Sequence, residues 1–115
     1  MSAASALPRQ EPASPAMLRA PISMTKWRGH SGQTYVAVIH DLSGEDLATM
    51  GECVVLGAAR TSSGIADLLG VAVSSATAAR SLAARFAKRG ATEMHVIHAA
   101  DTAAGRTVIA SDLQP

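Results

Sequence analysis

The sequence has few aromatic residues, one cysteine and no long apolar run. Its 115 residues include one Trp, one Tyr and one Phe, although 48% of the residues are hydrophobic. The core must therefore consist mainly of Val, Leu, Ile and Ala, which offer little surface for stacking on bases. The single cysteine excludes an intramolecular disulfide and fits a reducing cytoplasm. No apolar run approaches the roughly 20 residues that cross a bilayer, so we expect no membrane partner.

Several classes of site are also missing from the sequence. The net charge of +1 gives no general attraction to nucleic acid or membranes. Neither glycine-rich phosphate motif occurs, so we expect no cofactor. His95 and His98, the closest histidine pair, face opposite sides of a predicted strand, which argues against a metal site. Ser31 lies in a Gly-His-Ser-Gly turn without a nucleophile-elbow motif, so we expect no catalytic residue.

Residues 1–24 differ in composition from the rest of the chain. Ala, Ser and Pro dominate this segment, with prolines at positions 8, 12, 15 and 21. A segment of this composition has too little apolar surface to fold alone and does not match a secretory signal. We therefore predict a disordered tail over 1–24 and a single domain over 25–115, located in the cytoplasm.

Hydrophobic patterning predicts an α/β domain with a small central β-sheet and one main helix packed on a face. β-Forming residues predict strands over 33–41, 52–58 and 93–98. The segment 52–58 is apolar nearly throughout, so we expect it to be buried on both faces. A turn that could begin a short helix is expected at 42–46, and a further turn at 60–64.

The clearest predicted helix covers about 75–89. Its apolar residues have the spacing of one buried face: Ala79, Leu82, Ala83 and Phe86. Gly90 is placed to end it in a left-handed conformation. The segments 65–73 and 106–113 are each compatible with a strand or a helix.

Four basic residues lie on this helix: Arg80, Arg85, Lys88 and Arg89. A solvated helix face explains them, and a weak, strongly salt-dependent contact with nucleic acid is the alternative. The preceding segment Ile65-Ala-Asp-Leu-Leu-Gly-Val-Ala-Val-Ser-Ser75 resembles the core of a helix-turn-helix. A small DNA-binding protein with such a motif at 65–89 is therefore our second functional hypothesis.

A set of landmarks in a fixed order gives a family resemblance. The chain begins its domain with Trp27-Arg-Gly-His-Ser-Gly-Gln-Thr-Tyr35, and later contains Asp67-Leu-Leu-Gly70 and Gly90-Ala-Thr-Glu-Met-His-Val96. A closing segment runs from Gly105 to Pro115. Together these pieces resemble small bacterial proteins related to the GIY-YIG nuclease superfamily. The positions that match its structural motifs are Trp27, Gly29, Ser31, Gly32, Tyr35, Gly70 and Asp112.

The resemblance implies a nuclease ancestry without the nuclease chemistry. In active members, two tyrosines and an arginine orient the attacking water, and a glutamate holds a divalent metal ion. The tyrosine positions fall here near Cys53 or Val54 and at Leu68, and the glutamate position falls at Ala110. Alkyl side chains cannot hold Mg²⁺. Our first hypothesis is therefore a non-catalytic interaction or structural module with a protein partner or self-association; a residual metal-dependent nuclease is the third.

Overall fold

One antiparallel sheet with a helix on each face forms the described part of the chain. The computed structural model describes residues 8–11, 24–42, 51–75, 78–98 and 100–115. The strands are β1 (Arg9–Glu11), β2 (Met24–Arg28), β3 (Thr34–His40), β4 (Cys53–Arg60), β5 (Ala66–Ser74) and β6 (Glu93–Ile97). The helices are α1 (Ala79–Lys88) and α2 (Ala103–Asp112). The strand order is β1-β2-β3-β6-β4-β5, and the predicted α/β class is confirmed.

Strand β4 is buried on both faces, as its apolar run predicts. Val54 and Leu56 belong to the hydrophobic cluster beneath α2, whereas Cys53 and Val55 belong to the cluster beneath α1. The same alternation operates in β6, where Met94 and Val96 face α1. Because successive strand residues point to opposite faces, the two central strands supply both cores at once.

Helix α1 packs on the sheet with the Phe86 ring over two glycines. Its buried residues include Leu82, Ala83 and Phe86 of the predicted apolar stripe. Gly57 and Gly70 are paired across β4 and β5. A Cβ on Gly57 would lie 2.5 Å from the Phe86 ring, and one on Gly70 would lie 3.1 Å from it. Gly70, predicted as a structural motif position, lies within β5, where a Cβ would also lie 2.7 Å from Arg89 Nη1.

Helix α2 covers the opposite face of the sheet. Its Thr102 N-cap accepts a hydrogen bond from the Gly105 N–H at 3.0 Å, which satisfies one free amide of the first turn. Ile109, Ala110 and the following Leu113 are buried against the sheet. The ambiguous segment 106–113 is therefore helical, and the sheet carries two helices rather than the single main helix predicted.

The ambiguous segment 65–73 lies almost entirely in strand β5. Leu56 pairs with Val71 and Ala58 with Leu68 in an antiparallel register, with a bulge between Gly57 and Ala58. A helix-turn-helix needs a helix at this position. The helix-turn-helix hypothesis for 65–89 is therefore wrong, because hydrogen bonding to β4 holds the segment in an extended conformation.

Part of the predicted disordered tail belongs to the sheet. Arg9–Glu11 form β1 and pair with Arg28–Lys26 of β2, so the prediction is wrong for these residues. The Gln10 side chain also connects the outermost strands: it accepts from the Ala66 N–H at 2.9 Å and donates to Thr25 Oγ1 at 2.7 Å. Met24, the last residue of the predicted tail, lies in β2. Residues 1–7 and 12–23 of the tail, and residues 43–46 of the predicted turn at 42–46, lie outside the described residues.

Three further expectations concern the end of α1, the turn after β4 and membrane-spanning helices. Gly90 has a φ of 96°, the left-handed conformation predicted for the residue that ends α1. The turn predicted at 60–64 connects β4 to β5 and is closed by the Gly64 N–H, which donates to the Thr61 carbonyl at 3.0 Å. Within the described ranges, no helix is long and apolar enough to cross a membrane.

Candidate functional site

The turn between β2 and β3 brings polar side chains to the end of α2. The Gly29 N–H donates to the Gln33 carbonyl at 2.9 Å and closes the turn. Gly32 has a φ of 88°, a conformation that glycine adopts at little cost. The turn thereby places Ser31 beside Asp112, the last residue of α2. These positions were predicted as structural motif residues, but no contact between them was predicted.

The Asp112 carboxylate joins this turn to α2. Ser31 donates to it twice, from its backbone N–H to Oδ1 at 2.8 Å and from its hydroxyl to Oδ2 at 2.7 Å. The Tyr35 hydroxyl donates to the same Oδ2 at 2.8 Å. The His30 N–H adds a hydrogen bond to the Asp112 backbone carbonyl at 2.9 Å. We call Asp112, Ser31 and Tyr35 the Asp112 cluster.

Gly29 is explained by the close approach of the same carboxylate. A Cβ at Gly29 would lie 2.2 Å from Asp112 Oδ2 and 2.8 Å from the Asp112 carbonyl oxygen. Heavy atoms do not approach so closely without repulsion, and here part of the obstacle is backbone that cannot turn aside. The absence of a side chain at this position is therefore what allows α2 to end against the turn.

Burial and hydrogen bonding together shift the pKa values of both acidic groups in the cluster. Burial alone would raise the pKa of Asp112, but the hydrogen bonds from Ser31 and Tyr35 outweigh it and lower that pKa below its usual range. Burial, together with the nearby Asp112 carboxylate, raises the pKa of Tyr35 to about 12. At neutral pH the cluster therefore consists of a carboxylate and two neutral hydroxyl donors.

This arrangement does not activate a nucleophile. A reactive serine gives its proton to a base, usually an imidazole. The Ser31 hydroxyl instead donates to a carboxylate whose lowered pKa makes it a weak base. The adjacent His30 ring bonds the Gln114 carbonyl through Nε2. The described residues also contain no group of three or more His, Cys, Asp or Glu placed to hold a metal ion.

A groove of about 1090 Å³ lies between the start of β3 and α2, with the Asp112 cluster at one end. Val36 and Val108 line it and are 46% and 66% exposed, which is unusual for residues of their size and apolarity. Asp101 and Thr102 line it near the start of α2. The groove therefore combines an apolar surface with carboxylates and hydroxyl groups.

Strand β3 has an open edge along this groove. In the described ranges, β6 pairs with β3 only at Val38–His40, whereas β2 pairs with it from Thr34 to Val38. Thr34, Tyr35 and Val36 line the groove, and among the described residues they have a strand neighbour only in β2. In the part of the chain that the structure describes, β6 ends at Ile97, and no strand pairs with Thr34–Val36 on that side.

A second polar assembly is centred on two buried rings, and none of its residues lines the groove. The Trp27 indole N–H donates to His95 Nδ1 at 2.8 Å, and His95 Nε2 bonds Glu93 Oε1 at 2.8 Å. Glu93 also forms an ion pair with Arg60. Trp27 and His95 are fully buried. Burial lowers the pKa of His95, so the ring is neutral and its tautomer is fixed by its two partners.

The positions that resemble nuclease catalytic positions lie in an apolar environment. Val54 and Ala110 are members of the hydrophobic cluster beneath α2, and Leu68 packs against that cluster. Cys53, the other candidate for the first tyrosine position, lies in the cluster beneath α1. The structure thus brings three of these four positions to one side of the sheet, where Val54 and Ala110 are buried and Leu68 is half-buried.

The structure does not bring the predicted nucleic-acid contacts to this groove. Their side chains are exposed on α1 and at its C-cap, on the opposite face of the sheet: Arg80, Arg85, Lys88 and Arg89. Comparison with protein-family models, with curated proteins and with solved structures found no match to this chain.

Proposed function

We propose that this protein is a non-catalytic interaction module that binds an extended peptide segment of a partner protein in the groove between β3 and α2. The observation that carries the proposal is the open edge of Thr34–Val36 beside two exposed valines. We further propose that the scaffold is a degenerate relative of the GIY-YIG nuclease domain, with its reaction centre replaced by apolar side chains.

The side chains around the candidate site favour binding over catalysis. Ser31 is held by Asp112, and the former catalytic positions proposed for Val54, Leu68 and Ala110 carry alkyl groups. Such groups neither hold a divalent cation nor orient a water molecule. The polar groups of the Asp112 cluster instead bond one another and stabilise the junction that shapes the groove.

The groove favours a basic, extended occupant. Its described lining residues include the carboxylates of Asp101 and Asp112 and contain neither Lys nor Arg. An extended segment added beside β3 would gain backbone hydrogen bonds, and its alternate side chains would point toward the groove. Val36 and Val108 would then contact aliphatic side chains, and the two carboxylates would attract Lys or Arg.

Selection from a displayed library of random eight-residue peptides tests the proposal. We expect the parent protein to enrich sequences that combine aliphatic residues with Lys or Arg. The affinity of a fluorescent synthetic peptide of the enriched sequence is then measured by anisotropy. Val108→Lys places a positive charge in the groove, and Ile65→Lys places the same charge on an exposed turn residue outside it.

The matched pair separates groove binding from a general charge effect. We expect Val108→Lys to weaken binding by at least about tenfold, which corresponds to about 1.4 kcal/mol. Ile65→Lys should leave the affinity within about twofold of the parent. Failure to enrich any sequence, enrichment of acidic sequences, or equal losses in the two variants would overturn the proposal.

A further inference from the structure

The outward face of α1 carries a concentration of positive charge that the groove does not use. We define this cationic face by Arg80, Arg85, Lys88 and Arg89, all of them exposed. The sequence from 78 to 92 contains no Asp or Glu. At 100° per residue the four side chains are distributed over about half of the helix circumference, with Lys88 opposite Phe86. Along the helix axis they cover about 14 Å. Arg89 lies at the edge of the buried stripe, and a Cβ on Gly70 of β5 would lie 2.7 Å from its Nη1.

Favourable interaction with the helix dipole explains only some of the four basic residues. Lys88 and Arg89 lie at the end of α1, where positive charge interacts favourably with the helix dipole. Arg80 lies in the first turn, where a positive charge is unfavourable and where no acidic residue occurs. The position of Arg80 therefore extends the cationic face against the local electrostatic preference of the helix.

We propose that this face binds the phosphodiester backbone of duplex nucleic acid without reading base sequence. Four cations over about 14 Å face about eight phosphate charges of a B-form duplex, which carries one charge per about 1.7 Å. The remaining exposed residues on α1 are small, including Ser81 and Ala84. They offer neither the large apolar groups that enter a membrane interface nor the aromatic rings that stack on single-stranded bases.

The proposed duplex contact is independent of the proposed peptide contact. Helix α1 and the groove beside α2 lie on opposite faces of the sheet, so both surfaces remain accessible together. With both contacts made, the protein would hold a basic segment of a partner close to a nucleic-acid duplex. Loss of peptide binding through Val108→Lys should leave duplex binding unaffected.

The salt dependence of binding to a labelled 20-base-pair duplex of arbitrary sequence tests this inference. Anisotropy titrations between 20 and 200 mM salt give the slope of log K against log salt concentration. If all four cations neutralise phosphates, the slope is about −3.6, since each contact contributes about −0.9. The variant Arg85→Ala/Lys88→Ala should reduce its magnitude by about 1.8.

Two single variants supply the matched control. Lys88→Ala removes a cation from α1, whereas Lys26→Ala removes the same side chain from β2, which is separated from β4 by β3 and β6. We expect Lys88→Ala to reduce the slope by about 0.9 and Lys26→Ala to leave it unchanged. Arg85→Lys retains the charge and should retain binding. Circular dichroism establishes that each variant is folded.

Several results would overturn the inference. One is the absence of duplex binding at 20 mM salt, and another is an equal effect of Lys88→Ala and Lys26→Ala. A third is binding to vesicles that contain anionic phospholipid without binding to the duplex, because the partner would then be a lipid surface. A preference of more than about tenfold for one duplex sequence would contradict backbone recognition.

Discussion

Replacing Trp27 with Phe removes one buried hydrogen bond and retains most of the apolar ring. The change leaves His95 Nδ1 without the donor that now lies 2.8 Å away, and both side chains are fully buried. An unsatisfied buried acceptor costs about 1–3 kcal/mol. The smaller ring adds a modest cavity cost. We expect a loss of about 2–3 kcal/mol in the free energy of unfolding, measured by urea denaturation followed by circular dichroism.

A double-mutant cycle with His95→Leu isolates this hydrogen bond from the loss of ring volume. In the His95→Leu background no acceptor is left unsatisfied, so Trp27→Phe should cost less than it does in the parent. We expect a coupling energy of at least about 1 kcal/mol, above the roughly 0.3–0.5 kcal/mol by which independent sites deviate from additivity. A coupling energy within that smaller range would refute the assigned role of the Trp27–His95 bond.

Three further predictions concern pH and the Asp112 cluster. Burial lowers the pKa of His95 in the folded state, so below about pH 6.5 the unfolded chain binds more protons than the folded chain. The urea midpoint should therefore fall as the pH is lowered from 7.5 to 5.5. His95→Leu should remove this part of the fall. The only tyrosine, Tyr35, should ionise near pH 12 in an absorbance titration at alkaline pH. Asp112→Asn should lower that pKa. Because the pKa of Tyr35 is raised in the folded state, its stabilising contribution should disappear as the pH rises from about 10 to 12. Gly29→Ala should destabilise by about 1–3 kcal/mol in urea denaturation, since its Cβ would overlap Asp112; an unchanged midpoint would contradict the close contact.

The elements that could be predicted are those with a strong local pattern. The apolar run of β4 indicates burial on both faces wherever its neighbours lie, and the spacing of Leu82, Ala83 and Phe86 indicates one helix face. Gly90 marks the end of that helix because few other residues adopt its backbone conformation. These signals need no knowledge of the remainder of the chain.

The ambiguous elements were decided by tertiary contacts. The residues of β5 fit a helix or a strand, and antiparallel pairing with β4 fixes the strand. Helix α2 contains Gly105 and the β-branched Thr107, Val108 and Ile109, so its local helix propensity is low. Its N-cap and the burial of Ile109 stabilise it in the folded protein.

The candidate site depends on contacts between distant parts of the sequence. Ser31 and Asp112 are 81 residues apart, and Trp27 and His95 are 68 apart. A single sequence contains no periodicity that connects positions so distant. The motif resemblance marked Gly29, Ser31 and Asp112 as structural positions, but their shared dependence on one carboxylate becomes visible only when α2 ends against the β2–β3 turn.

Hydrogen exchange of backbone amides, measured with and without a selected basic peptide, tests the proposed binding groove most directly. We expect slower exchange in the peptide complex at Thr34–Val36 and along the groove-facing side of α2 near Val108. Exchange along α1 should be unchanged by the peptide. Protection confined to other strands, or no change at Thr34–Val36 under saturating peptide, would contradict strand addition at the open edge of β3.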